Sequence, residues 1–203
     1  MSSKIASPYI FTQLEILLIN QKYHVHTDWD KKVFDNIREN LRDFLRPKQK
    51  NKCCYCKSEL GFDIKAVDIE HILPKSEYKQ FGFEGLNLAL SCPGCNTKKG
   101  DKVVSKKVVR YPKHSKNMTI IHAHYDDYYE HIKIHGKCVF EALTRKGSHT
   151  ITVCELFRLK KAESKARKVK MVKKKASRLI KKAENASPEE LVIILKKLKK
   201  TIK

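Results

Sequence analysis

Cys53-Cys54-Tyr55-Cys56, Asp68-Ile69-Glu70-His71-Ile72-Leu73-Pro74, Asn87 and Cys92-Pro93-Gly94-Cys95-Asn96 follow one another between residues 53 and 96, and their spacing decides the fold. Two Cys-x-x-Cys turns supply four thiolates, the set that zinc takes in a tetrahedron. On this spacing the ligands are Cys53, Cys56, Cys92 and Cys95. Cys54 cannot replace Cys53 without shortening the interval to one residue, so it stands aside. A segment this short builds little hydrophobic core, and a structural Zn²⁺ would take that core's place. The competing reading is four buried free cysteines. The gap between the pairs encloses a carboxylate–histidine pair, Glu70-His71, together with Asp68 and Asn87, and Asn96 follows directly on the last cysteine.

The chain has 203 residues and a formal net charge of +22. Its length suits one domain, or one domain with an extension. A field of that sign attracts polyanions, of which nucleic acid is the commonest; a ribosomal-type or simply very soluble protein is the alternative. From Arg158 to Lys203 there are eighteen Lys and Arg against four Glu, so this tail carries fourteen of the net positive charges. It reads as a grip on backbone phosphates, which adds affinity with little specificity, or as a surface for an acidic partner protein. Seven cysteines with paired spacing point to metal rather than to the disulfide framework of a secreted chain. Cys138 and Cys154 are isolated and read as small buried apolar residues. Met1 to Tyr9 carries no apolar signal core, and Ile10 to Ile19 is too short and too interrupted to span a bilayer. A cytoplasmic protein with no membrane association is expected.

Residues 1–50 read as a helical lead-in. Thr12 with Glu15 fits a capping box, and Leu14, Leu17 and Leu18 suit a helix. Trp29, Val33, Ile37, Leu41 and Phe44 recur every three or four residues and predict a helix over Asp28–Leu45, stopped by Pro47. In residues 51–104, Ala66–Ile72 and Leu86–Ser91 read as strands around a loop with Pro74, Gly82 and Gly85, and a short helix runs from Cys92 toward Gly100. Residues 105–157 form a mixed extension with strands expected at Met118–His122 and Lys137–Leu143. His122 and His124 would then lie on opposite faces, while His131 and His135 would share a helical face, a weak hint of a second metal site. Tyr125 to Tyr129 reads as an aromatic cluster before a base-stacking platform. Arg145-Lys146-Gly147 reads as a turn, and a long helix starts near Ser148 with Leu156 and Leu159. In the basic helical tail, 158–203, Ser187-Pro188-Glu189-Glu190 opens a last helix with Leu191, Ile194, Leu195 and Leu198 as its apolar stripe.

Taken together, Lys52 to Lys102 resembles the HNH endonucleases, the ββα-metal nuclease family. Asp68 to Pro74 resembles the family's acidic-His-Ile-x-Pro signature, Asn87 its middle asparagine, and Cys92 to Asn96 with Lys98, Lys99 and Gly100 its closing zinc knuckle and metal residue. The resemblance implies an α+β fold: a zinc-stabilised ββα-metal core with N-terminal helices and a basic helical C-terminal extension. It implies phosphodiester hydrolysis on nucleic acid, with DNA the expected substrate. His71 would be the general base, since a neutral imidazole titrates near working pH. Glu70 and Asn96 would hold a catalytic Mg²⁺ or other divalent cation through oxygen. Asn87 would brace the loop that orients His71, and Asp68, on the Glu70 side of a strand, would be a supporting carboxylate. The sequence departs from the family in having Glu70 where Asp is usual and Asn96 where many members have His. A non-catalytic zinc-stabilised nucleic-acid-binding protein is the alternative, and Glu70-His71 with Asn96 is the set that a pure binder does not need. Tyr111-Pro112, Ile121-His122, Tyr128 to Ile132, Lys146-Gly147 and Thr150-Ile151 carry a weaker resemblance to small HNH proteins of Septu-type antiphage defence systems. That resemblance implies a defence effector working beside an ATPase partner.

Overall fold

A computed structural model describes residues 3–102, 104–105 and 108–202, with Ile202 described for its backbone alone. The chain divides into two compact units, Met1–Phe157 and Arg158–Lys203.

The first unit is α+β. Its lead-in holds α1 (Gln13–Lys22) and α2 (Asp35–Lys48). Thr12 caps α1, and Thr12 and Glu15 close the reciprocal capping box. α2 starts seven residues later than the apolar period suggests. Asp28 turns its carboxylate back onto the N–H groups of His24 (2.7 Å) and Val25 (3.1 Å), which holds Trp29 and Phe34 in tight 3₁₀ turns instead. Pro47 lies inside the last turn of α2, where it removes the N–H that would meet the Asp43 carbonyl; the helix ends one residue later, and Gln49 N–H still bonds to the Leu45 carbonyl. Ile37, Leu41 and Leu45 are the buried face of α2. With Trp29, Phe34 and Leu88, Ile37 and Leu41 form a core against which Tyr9, Phe11, Leu18, Ile19, Tyr23, Ile69 and Phe83 pack.

β1 (Asp68–His71) pairs antiparallel with β2 (Leu88–Ser91), Asp68 opposite Ser91 and His71 opposite Leu88. α3 (Pro93–Lys99) follows, with Cys92 at its N-cap and Pro93 in its first turn, the position proline favours. α2 packs on both strands and α3 on β1, so helices flank this pair. The side-chain amide of Gln49 ties the first cysteine turn to the sheet by bonding to the Lys52 and Leu90 carbonyls (both 2.9 Å) and accepting Leu90 N–H.

The extension contains α4 (Tyr128–His131), the hairpin β3 (Ile132–His135) and β4 (Val139–Ala142), and α5 (Arg145–Val153). The strand expected at Met118–His122 does not form. All but Thr119 is buried, and the N–H groups are met one by one: Thr119 by the Val104 carbonyl, Ile121 by the Thr150 hydroxyl and His122 by the Asp126 carboxylate. One isolated bridge, Met118 to Ser105, remains of a ladder, and side chains take the place of the rest at Ile121 and His122. The first strand of the hairpin comes instead from Ile132–His135, so His131 and His135 share no helical face. His131 pairs with Thr144 and His135 with Glu141. Arg145-Lys146-Gly147 is the first turn of α5 rather than a connecting turn, because Thr144 caps it by accepting Gly147 N–H at 3.1 Å. The continuous helix expected from Ser148 onward breaks at Glu155, whose φ is 47°, while Cys154 and Leu156 are fully buried on either side.

The second unit is a helical pair, α6 (Arg158–Ala183) and α7 (Pro188–Ile202), packed on each other. Ser187 and Glu190 form the expected cap. Leu191, Ile194 and Leu198 are half-buried, but Leu195 is 60% exposed and drops out of the stripe. No helix among the described residues is long and apolar enough to cross a membrane.

Gly147 tests the packing of α5. A Cβ there would lie 2.0 Å from the His131 carbonyl oxygen. Helix propensity alone favours alanine by about 1 kcal/mol, yet the clash falls on backbone that cannot swing away. Gly147→Ala should therefore lower the midpoint of denaturant unfolding, and a raised midpoint would contradict this packing.

Candidate active site

The four predicted thiols come together. Cys53 N–H bonds to the Ser58 carbonyl and Lys57 N–H to that of Cys53, a tight turn in which Lys57 adopts φ 57°. Cys92 is the N-cap of α3 and Cys95 lies in its first turn; the Cys92 carbonyl accepts from Cys95 (3.0 Å) and Asn96 (3.1 Å). All four sulfurs lie within 4.8 Å of one another. None is in a disulfide. Cys56 and Cys92 Sγ are 3.8 Å apart. A disulfide would need about 2.05 Å, whereas a tetrahedron with Zn–S near 2.3 Å has edges of about 3.8 Å. The cluster is built to hold a metal, and its donors suit zinc.

β1 pairs only with β2 among the described residues, so its other edge opens on a cleft of about 450 Å³. Asp68, Ile69 and His71 line the cleft from the strand, Arg38 and Arg42 from α2, and Asn96, Thr97 and Lys99 from α3. His71 is fixed on three sides. Its ring meets Trp29 edge-on at 4.4 Å, its carbonyl accepts from Lys99 Nζ at 2.7 Å, and its Nε2 lies 3.0 Å from the Gly82 carbonyl. A carbonyl only accepts, so Nε2 carries the proton and Nδ1 keeps a free lone pair. Burial pushes His71 down to about 3, the Gly82 hydrogen bond opposing. The imidazole is therefore neutral at ordinary pH.

Asn87 is fully buried and spans the loop between the strands. It accepts Leu73 N–H (2.7 Å) and donates to the Leu73 and Phe81 carbonyls (both 3.0 Å). This pins the loop next to Gly82, whose carbonyl orients His71. Gly82 itself has no room for a Cβ, which would meet the Tyr23 hydroxyl at 2.1 Å. A second tier supports Asn87: Tyr111 Oη bonds to the Leu86 carbonyl (3.0 Å) and contacts Asn87 Oδ1 (3.3 Å) and His122 Nε2 (2.8 Å). His124 N–H points at His122 Nδ1, so His122 donates through Nε2 to Tyr111, which is then free to donate onward to the loop.

Asn96 donates through Nδ2 to Asp68 Oδ2 at 2.9 Å, joining the two as one oxygen-bearing patch on the cleft wall. Glu70 lies outside the cleft lining. It is completely buried, and its Oε1 takes Lys99 Nζ at 2.7 Å and the Tyr55 hydroxyl at 3.1 Å. Burial raises its carboxyl, and Lys99 and Tyr55 oppose that shift. Its Oε2 is buried without a hydrogen-bond partner. Lys99 as counter-ion, Tyr55 as donor, Trp29 as the ring wall and the Gly82 carbonyl were not foreseen from the sequence. Tyr55 was signalled only by lying between two ligand cysteines; the others depend on long-range packing.

A thiol quartet able to hold a metal closes an antiparallel pair and a short helix, with an acid–histidine step on the first strand. Residues 53–102 match the family model described as HNH endonuclease. The chain is also 34% identical over 109 residues to the Septu protein PtuB of Bacillus thuringiensis, a match covering 54% of this chain and 38% of that protein. No solved structure matches the chain.

Lys99 and Glu70 are 2% and 0% exposed. Removing one partner of such a pair strands the other charge in the interior, at a cost of roughly 3–5 kcal/mol. Lys99→Met should destabilise the protein by about that much in urea unfolding; a loss below about 1 kcal/mol would mean that the pair contributes no more than a surface ion pair.

Proposed function

We propose that this protein is a metal-dependent HNH endonuclease that hydrolyses phosphodiester bonds in DNA and acts as an effector in bacterial antiphage defence. The observation that carries the reading is His71: a buried neutral imidazole, oriented through Nε2 by a backbone carbonyl, on the same cleft wall as Asp68 and Asn96.

In this reading Nδ1 of His71 takes the proton from the attacking water. A phosphodiester anion in the cleft would favour the protonated ring, as the Gly82 carbonyl already does, so base strength rises when substrate is bound. Asn87 and Tyr111 hold the loop that carries Gly82, which keeps the ring from turning. Glu70 and Asn96 would hold Mg²⁺ or a similar cation through oxygen with Asp68 in support; Glu70 lies outside the cleft lining, and its Oε2 is the oxygen of its carboxylate left without a partner. Such a cation, when bound, neutralises charge on the phosphate and helps the leaving oxygen depart. In the same reading the thiol quartet holds a structural Zn²⁺. The net charge of the α6–α7 unit suits backbone phosphates, a sequence-independent source of affinity. The likeness to PtuB supports the defence assignment, and an ATPase partner and a cytoplasmic location are part of the proposal.

A plasmid-nicking assay tests it. Wild-type protein should nick plasmid with Mg²⁺ and not in excess chelator, and His71→Ala should reduce nicking by roughly 10²–10⁴-fold with folding and DNA affinity retained. Equal nicking by His71→Ala would remove His71 as the base. Tight DNA binding with no metal-dependent cleavage by the wild type would favour the non-catalytic binding protein.

A further inference from the structure

We propose that Arg42, on the helix that precedes the matched HNH segment, is a catalytic residue that clamps the scissile phosphate; the inference rests on the nuclease reading above. Four basic side chains line the cleft beside His71: Arg38, Arg42, Lys75 and Lys99. Three of them are committed. Arg38 bonds to the Trp29 carbonyl and the Asp35 carboxylate and holds the turn before α2. Lys75 bonds to the His26 carbonyl and pairs with Asp30. Lys99 is the buried counter-ion of Glu70.

Arg42 has none of these ties. Its Nε is buried and has no hydrogen-bond partner, and no carboxylate lies within ion-pair distance among the described residues. Burial pulls its guanidinium below the usual range. The residue as a whole is half-buried, with Glu39, Asp35 and Asp43 acting on it from farther away, and its buried Nε is a donor that an anion in the cleft would satisfy. The helix backbone there is also held, because the adjacent Leu41, with Ile37 before it and Leu45 after it on the same face, is buried in the core. A planar fork of N–H donors, carried by a well-packed helix on a cleft wall that also has a neutral histidine, fits a phosphate with two parallel hydrogen bonds. The family match begins at residue 53, so it gives Arg42 no role. The lead-in helix would thus complete a site whose other parts lie in the core.

The test uses the full chain with Arg42→Gln and Arg42→Lys. Trp29, the single tryptophan, lines the same cleft and reports on it by fluorescence. Inorganic phosphate titrated at constant ionic strength should give a saturable signal in the wild type. Arg42→Gln should bind phosphate at least about tenfold more weakly and nick plasmid about 10²-fold more slowly at saturating DNA. Arg42→Lys should fall between, since it keeps the charge and loses the fork. Wild-type nicking and phosphate binding by Arg42→Gln would overturn the proposal and leave the nuclease reading standing. Slow nicking with unchanged phosphate binding would overturn it too, since Arg42 would then act on structure alone. Arg42-dependent phosphate binding in a protein that never nicks would keep the anion site and sink the nuclease reading. A wild type that neither binds phosphate nor nicks would sink both.

Discussion

Four sulfurs drawn within 4.8 Å of one another set the constraint on which the site depends. Thiols at that distance gain little from each other, and burial pushes groups such as Cys53 away from the charged form. A dication reverses that balance, because it binds thiolates and repays their desolvation. Closing the quartet joins the Cys53–Cys56 turn to the first turn of α3. That in turn fixes α3 against β1, and with it the distance from Asn96 to Asp68 and from Lys99 to Glu70. The polar contacts that shape the α3 side of the cleft therefore follow from a thiol cage that is not part of the cleft.

The other walls come from outside the matched segment. α2 presses on the β1–β2 pair through Ile37 and Leu41 and brings Arg38 and Arg42 to the rim, while the turn before it sets Trp29 against the His71 ring. From the opposite end, His124 bonds to the Leu88 carbonyl and Tyr111 to the Leu86 carbonyl, so the extension braces the loop through Asn87. A fifty-residue motif is thus held between two supports that are distant in sequence. This explains why so many buried polar groups, among them Glu70, His71, Asn87, Lys99, His122 and His124, can persist in a small core: nearly every one has a named partner.

The sequence was most legible where chemistry constrains spacing. The thiol pairs, the strand–loop–strand–helix order and both serine or threonine capping boxes could be read from residue type alone. It was least legible where a side chain outcompetes local periodicity. Asp28 diverted Trp29 out of the α2 period, Thr150 and Asp126 took the place of a strand partner at residues 119–122, and Gly147 was selected by close approach to the His131 carbonyl rather than for turn geometry. The same limit applies to the site. Strand alternation placed Asp68 and Glu70 on one side, but it could not show that Lys99 would cover Glu70 and leave Asp68 at the wall. Nothing in the local pattern marked Arg42, whose significance lies in the partners that its neighbours have and it lacks.

The most direct test of this account is the metal content of the purified, folded protein, measured together with X-ray absorption at the zinc edge. The account predicts one zinc per chain with four sulfur neighbours at about 2.3 Å, and loss of both the metal and the fold of residues 53–102 when Cys92 is replaced by serine. A cooperatively folded chain with no stoichiometric zinc, or zinc bound through nitrogen and oxygen instead of four sulfurs, would contradict it.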